Sequence, residues 1–443
     1  MAESKSVFQK NLLCSCGKLH ETAVDDVIVE KGAVNRLPEL LERYGAVKPF
    51  VLADCNTFAV AGEQVCRVLM SHDIPHTKYV FEKSPEPDEH GVGSAVMHFD
   101  ASCDIIIGVG SGVINDISKI VSNTSGRPYI IVATAPSMDG YASATSSMIM
   151  DGLKVSLPSA CAKVIVGDID ILKQAPLHML KSGLGDMLAK YVSICEWRIA
   201  HIIVGEYYCE QIADMVRNAL KKCIENAEGL LKREEVAVKA VFEGLVLGGI
   251  AMSYAGVSRP ASGMEHYISH IWEMRALETG GSVELHGIQC AVGTLMTAGL
   301  YEQLVKMVPD KEKALAYAAT FDYKQWSQEL LAFLGKGAET MIALEEKEHK
   351  YDVALHAERL DRILANWDTI LTIIKEELPS AAEIEKILDS IQAPKTPEEI
   401  GAETDKLKIT LLATKDIRDK YVLSRLLWDL GIWDEMDLNL QNK

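Results

Sequence analysis

Short apolar runs alternate with amphipathic stretches over the first 170 residues, and then the alternation stops. Val24–Glu30, Phe50–Asp54, Lys78–Phe81, Ile105–Val109 and Arg127–Thr134 have the length and β-branched content of buried strands. Between them Val34–Tyr44, a stretch through Met70 with Thr57 as its N-cap, Asp88–Phe99 and Val113–Val121 place apolar residues three and four positions apart, which predicts helices. Strands alternating with helices imply a parallel sheet covered on both faces. Past residue 172 strand-like runs largely vanish. Helical patterns take over at roughly 177–199, 202–229, 234–254 and 262–277. Residues 300–443 also read as helical but more charged, with Glu345–Lys350 as a solvated face and Thr396-Pro397 as a helix start. The pattern therefore predicts an α/β domain over 1–172, Rossmann-like in character, followed by an all-helical domain over 173–443.

Composition narrows this picture only a little. A chain of 443 residues is long enough for two cores, and 48% apolar content without a run of eighteen apolar residues predicts a globular protein with no membrane span. The opening Met1-Ala-Glu-Ser-Lys-Ser lacks the apolar core of a secretory signal, so the expected location is the cytoplasm. A net charge of −18 argues against nucleic acid or anionic membrane as a partner and leaves a small-molecule substrate. The ten cysteines are scattered and mostly lie in apolar segments, as expected of reduced thiols. Cys14-Ser-Cys16 is the only close pair. His20 is the sole nearby partner for a metal, and the expectation there is a plain N-terminal segment.

Two constellations carry chemistry. Asp104-Ile-Ile-Ile-Gly108-Val-Gly110-Ser111-Gly112 is a strand that breaks on glycines and enters a helix, which exposes backbone N–H groups at a helix N-terminus. Such a turn cradles a phosphate, or it uses glycine for backbone geometry alone. The spacing departs from G-x-G-x-x-G. In the helical half, Gly183-Leu-Gly-Asp186 puts a carboxylate in the first turn of a helix. His266 and His270 stand one helical turn apart, and Glu284-Leu-His286-Gly adds a third imidazole. Alone, such an aspartate is usually a cap or dipole partner, and such a His pair is more often surface or hydrogen-bonded core than ligand. Together, Asp and two His make an N/O set suited to a divalent transition metal with open positions for substrate.

With these segments in view, the chain resembles the polyol-dehydrogenase branch of the iron-containing alcohol dehydrogenase and dehydroquinate synthase superfamily. The resemblance covers most of residues 20–300. It rests on Gly108-x-Gly110-Ser111-Gly112-x-x-x-Asp116-x-x-Lys119, Thr134-Ala-Pro-Ser137-Met-Asp139-Gly-Tyr-Ala-Ser143, Arg259-Pro-Ala-Ser-Gly-Met-Glu-His266 and Glu284-Leu-His286-Gly. These segments look most like the members that act on glycerol phosphate, in a longer bacterial form. The resemblance implies reversible hydride transfer between NAD(H) and C2 of a glycerol phosphate, with dihydroxyacetone phosphate as the ketone. It implies one divalent metal per subunit on Asp186, His266 and His286, nickel by likeness to bacterial members and zinc by likeness to archaeal ones. Asp139, Asp186 and His270 would contact substrate, Asp186 and His270 as the catalytic pair, and Arg259 is the first candidate for the phosphate. Gly110, Ser111, Gly112, Val113 and Ile114 would hold the pyrophosphate. Thr134, Ala135, Pro136, Ser137 and Ser143 would line the nicotinamide side. Asp54 would bind the adenosine ribose, favouring NAD while leaving NADP open. A homodimer or larger assembly is expected. The alternatives are a dehydrogenase of an unphosphorylated polyol, a dehydroquinate-synthase-like cyclase and a non-catalytic nucleotide binder.

Overall fold

The computed structural model describes residues 8–438, so the polar opening Met1–Ser6 lies outside the described residues. A hairpin comes first, β1 (Asn11–Leu13) against β2 (Leu19–Glu21). The central sheet then takes β3 (Asp26–Glu30), β4 (Pro49–Asp54), β5 (Thr77–Phe81), β6 (Ile105–Gly110) and β7 (Tyr129–Ala133). An antiparallel hairpin, β8 (Thr145–Met150) with β9 (Leu153–Pro158), interrupts before β10 (Val164–Asp168) completes the sheet. Its order is β3-β10-β7-β6-β4-β5 and every pairing is parallel. All residues of β4, β6, β7 and β10 are buried, which is why they read as continuous apolar runs. The chain runs from β4 outward to β5, then crosses back to lay β6 on β4's other side. That reversal is the topological switch point, where open α/β sheets bind ligands beyond the strand C-termini.

The contacts divide the chain into two compact units, but not at the expected 172/173 boundary. The first holds the chain up to Met187 together with Asp214–Val257, and the second Leu188–Ala213 with Ser258 onward. The physical reason lies in the helix Glu235–Ala255, whose burial all round hides any amphipathic allegiance. Its Phe242 ring fills the space that the missing side chain of Gly167 leaves on β10 and meets Tyr141 edge-on at 5.5 Å. Gly249 of the same helix lets the Asp139 carbonyl approach closely. This is also the one helix among the described residues long and apolar enough to cross a membrane. Yet 61% of its most apolar window is buried inside the protein, as in a core helix. The hairpins β1–β2 and β8–β9 and the strand β10 were not expected from the pattern.

The second unit is helical, with a continuous core running from Ile199 through Tyr267, Tyr301 and Leu360 to Trp428 and Trp433. Its functional helices are Met264–Thr279 and His286–Leu304, which carry the three histidines.

Candidate active site

In the first unit the expected cofactor residues gather at the carboxyl ends of three adjacent strands. Asp54 closes β4, Gly110 closes β6 beside it, and Thr134 follows β7, where its N–H donates to the Gly110 carbonyl (3.1 Å). The helix Gly112–Ser125 starts directly after Ser111, so Gly112, Val113 and Ile114 form its first turn, pointing backbone N–H groups outward. Ser111 is the N-cap position, but its hydroxyl caps nothing. Instead Ser111 Oγ meets Ser137 Oγ at 2.6 Å, which ties the glycine turn to the 134–137 loop. Asp54 does cap: its Oδ1 accepts from the N–H groups of Asn56 (2.8 Å) and Thr57 (2.9 Å), and Thr57 returns the bond as the third residue of a capping box. Thr57 is therefore not the N-cap expected from the pattern; Asp54 holds that place.

Lys119 explains the end of the glycine motif. Fully buried, it reaches Asp116 Oδ1 (3.0 Å) and the carbonyls of Gly140 (2.7 Å) and Thr145 (2.9 Å). It locks the helix after the glycine turn to the segment that contains Asp139 and Ser143. Burial pushes the Asp116 carboxyl above the usual range, against the pull of Lys119. Tyr141 adds a second lock, its hydroxyl donating to the Ala135 carbonyl (2.7 Å).

Asp186 is fully buried on the helix Leu177–Val204. Its Oδ2 accepts from the backbone N–H of Asp139 (2.9 Å), so the two residues expected near substrate stand side by side. One turn earlier, Ser182 donates to the Ser137 carbonyl (2.9 Å), and any Cβ at Gly183 would collide with the Pro136 carbonyl oxygen. The glycine thus sets the spacing between this helix and the loop after β7.

In the second unit His266, His270 and His286 converge. Ring centroids lie 5.1 Å apart for His266–His286, 5.6 Å for His270–His286 and 6.5 Å for His266–His270. Each imidazole has a partner at Nδ1: Glu265 Oε1 for His266 (2.8 Å), Glu273 Oε2 for His270 (3.3 Å) and Ser269 Oγ for His286 (3.0 Å). Holding Nδ1 fixes the ring and designates Nε2 as the coordinating or proton-carrying atom, the usual arrangement around a metal. Cys290, one turn along from His286, brings its sulfur within 3.5 Å of His286 Nε2. Ligand atoms of His266, His286 and Cys290 all fall within 4.8 Å of one another. A bare cluster of this kind polarises itself. Burial alone would lower the His286 imidazole, yet Cys290 and Glu273 raise it to about 10, while His266 and His286 pull the Cys290 thiol down against burial. The donor set, nitrogen and sulfur with carboxylates behind, fits a divalent transition metal.

Arg259, the expected phosphate partner, is buried and already paired within the helical unit. It is 2% exposed, its Nε pairs with Glu206 Oε2 (2.5 Å), and its Nη1 donates to the Tyr421 carbonyl (2.8 Å). That is a structural engagement, and the residue order around Arg259 gave no sign of it because Glu206 and Tyr421 are far away in sequence. Of the residues not anticipated, Glu273 and Cys290 had a readable signal: they lie three and four residues from His270 and His286, on the same helix faces. Lys119 and Glu265 stood inside the quoted motifs without a sign of what they hold, and Ser269, which bonds His286 from another helix, had none.

A sequence profile described as iron-containing alcohol dehydrogenase matches residues 28–176. A glycerol-1-phosphate dehydrogenase (NAD(P)+) of Halalkalibacterium halodurans is 35% identical over 294 residues, spanning 65% of this chain and 74% of that protein. The chain belongs to the iron-containing alcohol dehydrogenase family. A second relative of that family, from Bacillus velezensis and of the same name, is 30% identical over 365 residues, covering 80% of this chain and 91% of its own. An archaeal one, from Methanosarcina mazei, is 32% identical over 62% of this chain and 76% of its own. Among solved structures, a probable glycerol dehydrogenase from Sinorhizobium meliloti superposes with a TM-score of 0.56 at 16% identity, over 93% of this chain and 98% of that one. A sulfoacetaldehyde reductase from Bifidobacterium kashiwanohense gives 0.58 at 14% identity, over 94% and 99%. These show the family fold and no more.

Proposed function

We propose that this chain is a metal-dependent NAD(P) oxidoreductase that interconverts dihydroxyacetone phosphate and sn-glycerol 1-phosphate. The observation that carries the reading is the likeness to glycerol-1-phosphate dehydrogenases across both units, at identities that the solved polyol and aldehyde enzymes do not approach. Asp186, His266 and His286 would hold one divalent ion, nickel or zinc. When bound, that ion supplies Lewis-acid polarisation of the C2 oxygen, and the nicotinamide supplies or takes the hydride.

The chain's own residues set the geometry. Gly110, Ser111, Gly112, Val113 and Ile114 offer backbone donors to the pyrophosphate, and Asp54 offers a carboxylate to the adenosine ribose, which favours NAD and tolerates NADP less. Thr134, Ala135, Pro136, Ser137 and Ser143 border the nicotinamide, with the Ser111–Ser137 bridge fixing the loop. Asp139 orients the substrate hydroxyls. His270, steadied by Glu273 at Nδ1, moves the proton at Nε2. Arg259 is retained as the sequence-based phosphate partner, with half-buried Lys420 beside the Ser262 carbonyl (3.0 Å) as the rival cation. A homodimer or larger assembly in the cytoplasm belongs to the same proposal and rests on family likeness.

The test is NADH oxidation with dihydroxyacetone phosphate, before and after chelation, with chiral analysis of the product. The expected result is metal-dependent turnover to the sn-1 isomer. Turnover of glycerol but not of its phosphate would overturn the substrate, and cofactor that cycles without net consumption would point to a cyclase.

A further inference from the structure

The β1–β2 hairpin carries chemistry that this reaction does not use. Its turn reads Cys14-Ser-Cys16-Gly17-Lys18, and His20 follows in the middle of β2, paired across the ladder with Leu12. The backbone there is wound tightly. The N–H of Gly17 donates to the Cys14 carbonyl (3.0 Å) and that of Cys14 to the Lys18 carbonyl (3.1 Å). Gly17 adopts φ +84, a left-handed conformation that glycine takes without strain. This winding brings the N–H of Cys16 onto Cys14 Sγ (3.4 Å), which fixes where the sulfur points. It also brings Cys16 Sγ to 3.4 Å from His20 Nε2. Two ligands at ordinary Zn–S and Zn–N lengths around a tetrahedral centre stand about 3.6 Å apart.

The histidine is prepared for the same role. His20 is 1% exposed, and its Nδ1 donates to the Tyr254 carbonyl (2.9 Å), which fixes the tautomer that leaves the lone pair on Nε2. Ligand atoms of Cys14, Cys16 and His20 all lie within 4.8 Å of one another. The hairpin is tied to the helix Glu235–Ala255, where Ser253 Oγ donates to the Glu21 carbonyl (3.2 Å) and the Tyr254 hydroxyl to the Gln9 carbonyl, and its turn is the more exposed end. Its strands are three residues long, and the apolar side chains flanking the turn, Leu13 and Leu19, are 81% and 55% exposed. Small two-stranded hairpins are marginal in water, and a bound metal is a common remedy for so small an element.

We propose that Cys14, Cys16 and His20 bind a structural zinc ion, in addition to the ion on Asp186, His266 and His286. Soft sulfur with one imidazole selects zinc over the harder divalent cations. The inference stands whether or not the proposed reaction is the right one. It is tested on the full-length enzyme purified without chelator. Elemental analysis of wild type should give two metal equivalents per chain, at least one of them zinc. The Cys14→Ser/Cys16→Ser variant should lose one equivalent of zinc, and His266→Ala/His286→Ala should retain it. Cobalt loaded into His266→Ala/His286→Ala should show thiolate-to-cobalt charge transfer, and adding the two serine substitutions should abolish it. Zinc unchanged in the serine variant would overturn the proposal. Because that variant risks misfolding, maleimide labelling of native wild type gives a second measure. Cys16 is exposed and should nonetheless label at least tenfold faster after zinc is stripped. Equal labelling rates before and after stripping would also overturn it.

Discussion

The two units present their candidate residues in different materials. The α/β unit offers backbone: strand ends at a switch point, a glycine turn and the first turn of a helix. The helical unit offers side chains: three imidazoles, each held by a neighbouring carboxylate or hydroxyl, and a thiol beside the His286 ring. A backbone site inherits its precision from the register of the whole sheet, so no one side chain controls it. A side-chain site depends on a few rotamers and on the groups that fix them, so it should fail at single positions.

The sharpest way to break that contrast is to substitute one residue on each side. His266→Ala removes a proposed ligand and should lower turnover by more than ~100-fold, with loss of one metal equivalent measured by elemental analysis. Ser111→Ala keeps the backbone of the turn and should raise the Michaelis constant for NADH by less than about tenfold, the value of one neutral hydrogen bond. Comparable losses in the two variants would show that the distinction does not hold.

Two lysines, Lys119 buried and Lys420 half-buried, give the next largest effect and differ in the same way. Lys119 is compensated by Asp116 and two carbonyls, and it joins two segments of the cofactor side. Lys119→Met leaves a buried carboxylate unpaired and should cost ~3–5 kcal/mol in urea unfolding. Lys420 donates to one carbonyl, and burial together with Arg259 pushes its ammonium down to about 7. In the unfolded chain it keeps the ordinary value of about 10.4. Between these two values the unfolded state binds the extra proton, so this residue makes the fold more stable as pH rises through that window. Lys420→Met should remove that rise, which unfolding at pH 7 and pH 9 will detect. An equal slope in variant and wild type would refute it.

The same contrast governs what was legible in the sequence. Buried parallel strands announce themselves, so Phe50–Asp54 and Ile105–Val109 were found nearly to the residue. The hairpin β8–β9 was missed because its buried positions on β8 are Ser146 and Met148 and β9 is exposed or half-exposed throughout, so no strong apolar face shows. The expected boundary at 172 failed for a tertiary reason: a helix buried all round gives no hint of which core it joins, and Glu235–Ala255 joins the earlier one. In the candidate site the histidines were readable from their spacing. The groups that orient them, Glu265 and Ser269, were not, since a carboxylate or hydroxyl next to a histidine is common in any helix. Arg259 shows the limit most plainly, because its partners Glu206 and Tyr421 lie 53 and 162 residues away in the chain.

Packing at Gly183 tests whether the α/β unit is as tolerant as its backbone site suggests. Gly183→Ala forces its new methyl against the Pro136 carbonyl, and overpacking of this kind costs ~1–3 kcal/mol. The melting temperature should fall, and because the same contact sets the 134–137 loop, NADH affinity should fall with it. A variant with lowered stability and unchanged NADH affinity would separate the loop from the cofactor.

The smallest effect concerns Asp54, where one side chain serves both fold and ligand. Its Oδ1 accepts the N–H groups of Asn56 and Thr57, so an amide at this position still offers one carbonyl oxygen to the cap. Asp54→Asn should therefore leave the melting temperature nearly unchanged, whereas Asp54→Ala should lose about 1 kcal/mol of capping. Removing the charge takes away the repulsion of a 2′-phosphate together with the bond to the ribose 2′-hydroxyl. The ratio of kcat/KM for NADPH to that for NADH should rise by ~10-fold, equivalent to ~1.4 kcal/mol. If Asp54→Asn leaves the ratio untouched while Asp54→Ala destabilises, the carboxylate caps its helix and does nothing for the cofactor. The backbone alone would then carry recognition on this side, which is the contrast between the two units in its strongest form.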